Sequence, residues 1–263
     1  MAITPLAITF GVGILLASAA LGQPGAETTP DGGRPPHAAA DPAAANPADA
    51  VLDRFRAAYQ DCTTYRDQGE SVGLFGSGLQ TVRPFETWFD RTTGGFRYEF
   101  IDQRQGTMLL LKTRGSHYVV WEGGEGPRKW WSLEGEVQEP ESLALGLAGA
   151  AGISGMSSTL VPPMLLDGRG GRSILMNVAS AEHLGRVQID EAWCDHLRIV
   201  IPGYPGQPEL WIDDGGFLRQ YRESQVITGD TVTTTISLRP EVDAPIDPAV
   251  FAFTPPSGGG VAA

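Results

Sequence analysis

Cys194, Asp195 and His196 stand side by side, and a thiol, a carboxylate and an imidazole are the groups from which a nucleophile, an orienting acid and a base are made. The run reads as a strand, though, and strand neighbours alternate faces. Cys194 and His196 then share a face about 7 Å apart with Asp195 opposite, too far for direct activation of the thiol. Gly152-Ile153-Ser154-Gly155 lacks the final spacing of a Gly-x-Ser-x-Gly elbow. His37, His117, His183 and His196 show no zinc spacing. Asp213-Asp214-Gly215-Gly216 offers too few oxygens for calcium and fits a hairpin turn. Gly168-Arg169-Gly170-Gly171 follows an apolar helical stretch, not a strand, so it reads as a hinge and not a phosphate cradle. No nucleophile, base and orienter converge, so an enzyme is not expected, and no metal or cofactor is called for.

Other residues could bind without reacting. Phe85, Phe89 and Arg91 fall on one face of a strand, and Phe96, Tyr98 and Phe100 on one face of the next. Farther on, Glu141 to Leu166 is an apolar insert with Leu143, Leu147, Met164 and Leu165 at helical positions and glycines at 146, 149, 152 and 155. Each glycine costs a helix about 1 kcal/mol relative to alanine, so packing must hold this insert and could also release it. Two uses remain open: the helices plug the sheet as permanent core, or they cover a cavity for an apolar ligand. Arg91 either latches the insert through its carbonyls or snorkels to water, because a buried guanidinium must satisfy up to five donors. Trp121, Trp130, Trp131, Trp193 and Trp211 either stack sugars or close the sheet; adjacent Trp130 and Trp131 must face opposite sides, so that a solvent-facing one could belong to a partner site.

The elements that would position these residues are legible. Asn46-Pro47 is a cap followed by proline at the first helical position, and Val51, Leu52, Phe55, Ala58 and Tyr59 follow at helical spacing. Strands are predicted over 64–75, 85–91, 96–101, 107–113, 117–121 and 128–133, then over 182–190, 193–201, 209–213, 217–226 and 231–238. Short links between them mean hairpins, and a sheet of ten or eleven strands curls around something. The fold class is therefore mainly β with helices: an incomplete antiparallel barrel wrapped over short helices.

Ahead of this domain, residues 6–21 form an uncharged apolar run ending in small residues, which reads as a signal peptide over 1–22. Residues 23–45 are rich in Pro and Ala with no large apolar side chain, a disordered linker. The domain is expected over 46–256, with a flexible tail over 257–263. Of 263 residues, about 220 remain for one folded unit. Lys plus Arg total 19 against 31 Asp plus Glu, a formal charge of −12, so nucleic acid and anionic membrane surfaces are poor partners. Two cysteines in an exported chain favour a disulfide between Cys62 and Cys194, two buried free thiols being the alternative.

The runs "AYQDCTTYRDQGE", "TWFDR…FRYEF" and "TRGSHYVVWEG", the small-residue insert and the closing "FAFTPP" together resemble the periplasmic lipoprotein-carrier superfamily (LolA-like), in a branch with a "CxxLRI…ELWID…GFLRQ" run. The resemblance spans about residues 48–256. It implies an open barrel of about eleven strands over helices and carriage of acyl chains inside. Trp88 and Arg91 match the family's pairing of a tryptophan with an arginine that binds the lid's carbonyls. Thr92 stands where the carriers have proline, and Arg114-Gly115 keeps only the glycine of their turn. The expected function is non-enzymatic binding or carriage of a lipid or lipoprotein acyl chain by a periplasmic monomer. Its contacts would be Phe89, Arg91, Phe96, Tyr98, Leu143, Leu147, Met164 and Leu165. The alternative is an envelope sensor whose plugged barrel docks a protein partner.

Overall fold

Asn46 caps the first helix by accepting a hydrogen bond from the Ala48 amide at 3.1 Å, and proline opens it. This helix, α1 (Pro47–Asp61), buries Val51, Leu52, Phe55 and Tyr59 along one stripe. It ends at Cys62, where the backbone turns extended. The computed structural model describes residues 46–102, 106–113, 116–122, 129–132, 141–166, 173–227 and 229–254. The signal-peptide, linker and tail assignments lie outside the described residues.

Two antiparallel meanders follow. The first runs through β1 (Thr64–Phe75), β2 (Gln80–Asp90), β3 (Gly95–Asp102), β4 (Gly106–Thr113), β5 (Ser116–Glu122) and β6 (Lys129–Ser132). Next come two helices, α2 (Glu141–Ala150) and α3 (Pro162–Leu165), with a 3-10 turn at Ser157–Thr159 between them. The second meander is β7 (Ser180–Ile189), β8 (Ala192–Val200), β9 (Glu209–Asp213), β10 (Leu218–Ile227) and β11 (Asp230–Leu238). A two-residue β12 (Glu241–Val242) pairs with β1.

The meanders join where β1 pairs antiparallel with β11, Gly69 opposite Leu238 and Phe75 opposite Val232. The order is therefore β6-β5-β4-β3-β2-β1-β11-β10-β9-β8-β7, with β6 and β7 at its two ends among the described residues. The sheet does not close, and α1, α2 and α3 pack against one face of it: an open barrel over helices, as expected. Among the described residues twelve strands stand where ten or eleven were expected, because β12 is too short to leave a pattern. β2 begins at Gln80 and not Phe85 because Gln80–Pro84 pairs with β1 alone. Pro84 thus sits on a one-sided stretch, where its missing N–H breaks no ladder.

The expected Cys62–Cys194 disulfide is corrected: both are buried free thiols. Alternation explains why. Asp195, Leu197 and Ile199 point at the helices, and Asp195 binds Arg54 of α1 at 2.6 Å. Cys194 consequently faces the other side of the sheet, near Asp213 and Arg219, whereas Cys62 ends α1 and its thiol points to the Tyr59 carbonyl. Among the described residues no helix is long and apolar enough to cross a membrane.

Candidate functional site

The concave face is built by register. Phe85 pairs with Phe100, Thr87 with Tyr98 and Phe89 with Phe96, so one rank of rings crosses β2 and β3. Opposite Phe85 on β1 is Gly69, and a Cβ there would lie 2.2 Å from the ring. Glycine is required at that point for the ring to lie flat on the sheet. Leu143 and Leu147 of α2 and Met164 and Leu165 of α3 belong to the same buried core, α2 lying against β4 and β5 and α3 against α1.

Seven of the eight expected contacts form one cluster. Phe89, Phe96, Tyr98, Leu143, Leu147, Met164 and Leu165 are all buried, at 5% exposure or less. Among the described residues their surroundings are the chain's own side chains. Arg91 stands apart. Its Nε donates to the Cys62 carbonyl and its Nη2 to the Tyr59 carbonyl, each at 3.0 Å, and its guanidinium lies over the Phe89 ring. These two bonds fasten the last turn of α1, where a cation also meets the negative end of the helix dipole. Trp88, its expected companion, faces the outside beneath Arg97. The side chains of Trp121, Trp130 and Trp131 lie outside the described residues.

Hydroxyls fasten the insert to the sheet. Ser71 on β1 donates to the Gly155 carbonyl at 2.7 Å, and the Tyr98 hydroxyl meets Ser157 Oγ at 2.7 Å. Within the insert, Ser157 donates to the Ser154 carbonyl and Ser158 to the Leu147 carbonyl. The turn carrying these serines passes through two successive left-handed residues, Gly155 (φ 61°) and Met156 (φ 73°). The second is a position where a side chain costs about 1 kcal/mol. Beside this turn a cleft of about 240 Å³ opens between the insert and β1, β2, β10 and β11. Phe75, Val232 and Ile227 line its apolar part, and Arg83, Glu223 and Gln225 its polar part.

Sequence reasoning missed these serines, although "SGMSS" is a hydroxyl cluster in an apolar stretch. It also missed Asp67, a fully buried carboxylate inside the sheet. The Tyr65 hydroxyl donates to Asp67 Oδ2 at 2.9 Å, while Oδ1 has no hydrogen-bond partner. Burial pushes its carboxyl up to about 7.

The reactive-looking triplet disperses. Asp195 meets His183 at 2.9 Å and Arg54, which hold it below the usual carboxylate range against the opposing effect of its burial. His196 meets Glu209 at 3.2 Å and stacks on Trp211. Burial pushes the Cys194 thiol up to about 11, so it is protonated near neutral pH. Among the described residues no group of three or more His, Cys, Asp or Glu is placed to hold a metal ion.

No family model and no curated protein matches the sequence. Solved structures do. LprF from Mycobacterium bovis is 14% identical over 76% of this chain and 94% of its own, with a TM-score of 0.43. The lipoprotein LppX from Mycobacterium tuberculosis is 12% identical over 76% and 98%, at 0.41. A LolA superfamily protein from Nitrosomonas europaea is 8% identical over 78% and 97%, at 0.32. The architecture itself rests on the strand order and register above, and the superfamily that the sequence motifs resemble stands among these similar structures.

Proposed function

We propose that the chain is an exported, non-enzymatic carrier that binds the acyl chain of a lipid or lipoprotein in the concave face of the sheet, with the α2–α3 insert as a removable cover. The supporting observation is what fills the hollow: a glycine-broken insert, fastened to the sheet by uncharged hydroxyl bonds at Ser71 and Tyr98 and bordered by a cleft. Exposing a buried Leu or Met costs about 2 kcal/mol, so releasing Leu143, Leu147, Leu160, Met164 and Leu165 costs roughly 10 kcal/mol. Each methylene of a guest in their place contributes about 0.8 kcal/mol. An acyl chain of about 14 carbons offsets the opening, and one of about eight falls short.

Freshly purified protein extracted under denaturing conditions and analysed by mass spectrometry should release co-purified lipid. Fluorescent fatty-acid displacement should show long chains of about 16 carbons binding and chains of about eight failing. Absence of both lipid and binding would leave the other reading, a permanently plugged barrel that senses or docks an envelope protein.

A further inference from the structure

Arg83 and Glu223 line the cleft itself, but the hairpin tips beyond it carry almost no charge. The β1–β2 and β10–β11 hairpins lie side by side there, with the Gly76 amide bonded to the Thr231 carbonyl and Phe75 opposite Val232. Residues 74–82 contain no charged side chain, and neither do 142–166 or 199–208. Within 224–238 Asp230 is the one charged residue, and its carboxylate turns onto the neighbouring hairpin, where a Cβ added to Gly76 would lie 2.4 Å from it. All this occurs in a chain of formal charge −12.

The same end exposes large apolar side chains: Leu74 at 51%, Leu79 at 52%, Val226 at 74% and Ile227 at 50%. They point both ways. Leu74 and Val226 share the outer face with Glu70 and Ser224, whereas Ile227 lines the cleft on the inner face. A protein partner laid on either face would leave the other apolar face in water. A medium that surrounds the tips covers both.

We propose that the paired hairpin tips dock into the headgroup–acyl boundary of an uncharged, zwitterionic bilayer, with Leu79 and Val226 leading. Apolar area provides the attraction, and the missing charge removes the desolvation cost that Lys, Arg, Asp or Glu would impose. Anionic lipid adds nothing, because the chain's net charge opposes it. The docking does not depend on whether the hollow takes a guest.

The buried thiols of Cys62 and Cys194 leave a single engineered cysteine as the labelling site in the folded chain. An environment-sensitive fluorophore is placed at Leu79→Cys, and, as a control on the β7–β8 turn at the opposite end of the sheet, at Glu191→Cys. Phosphatidylcholine vesicles should blue-shift and brighten the probe at 79, and lipids carrying a quencher in the acyl chain should quench it. The probe at 191 should not respond. Adding Val226→Lys to the labelled Leu79→Cys chain should weaken vesicle binding about tenfold, with an unchanged melting temperature. A silent probe at 79, equal responses at 79 and 191, a response confined to anionic vesicles, or an indifferent Val226→Lys would each overturn the docking. Fatty-acid binding with a silent probe at 79 would sink the docking and leave the carrier reading standing; the reverse result would sink the carrier reading alone.

Discussion

Replacing Tyr98 by Phe separates a cover from a core. The Tyr98 hydroxyl is fully buried and meets Ser157 Oγ at 2.7 Å. Because Ser157 itself donates to the Ser154 carbonyl at 2.9 Å, deleting the phenolic oxygen strands no donor. The loss is then that of one neutral hydrogen bond, about 1 kcal/mol. If the insert opens before a guest enters, that loss falls on the closed state alone. The binding-competent fraction rises about fivefold, and the apparent affinity for a long-chain fatty acid tightens by the same factor. Ser71→Ala, which cuts the bond to the Gly155 carbonyl, should act in the same direction. The assay is titration with a fluorescent fatty acid alongside urea unfolding of the same samples. Affinity that is unchanged or weaker while stability drops by about 1 kcal/mol would refute the reasoning, since the insert would then be ordinary core.

Other consequences are as direct. Arg91→Met removes two charge-assisted bonds from the end of α1 and should cost about 2 kcal/mol in urea unfolding without a change of slope; an unchanged midpoint would show that α1 ends without help. Asp67, raised to about 7 from 3.8, binds its proton more tightly when folded. Its contribution is therefore full below about pH 4 and is lost as pH rises through 7. Thermal melts from pH 5 to 8 should show stability falling with pH, and Asp67→Asn should flatten that fall; parallel pH profiles would refute the assignment. Alkylation of the unfolded chain without reductant should modify both Cys62 and Cys194, and a mass two protons lighter with neither modified would restore the bridge.

Much of the fold was legible because its signals are local. The Asn46-Pro47 start, the β1 span and the β9 span follow from residues within a few positions of one another, as do the aromatic faces of β2 and β3. What escaped depends on distant partners. Nothing near Ser71 announces the Gly155 carbonyl, and nothing near Arg91 says that two of its bonds go to the Tyr59 and Cys62 carbonyls. The cysteine count argued for a bridge, but strand alternation had already committed Cys194 to the outer face once Asp195 faced Arg54. Asp67 was invisible for a similar reason: an acidic residue in "YRDQGE" looks solvated until the fold places it, buried, beside Tyr65 and Thr87.

The seam between β1 and β11 also sets the order in which the molecule can be finished. Gly69 must wait for Leu238, so the first six strands emerge from synthesis with the flank of β1 bare and its amides ready to pair with any passing chain. Until the final long hairpin arrives that flank stays exposed, and a truncation before residue 230 should yield aggregates instead of a smaller folded domain.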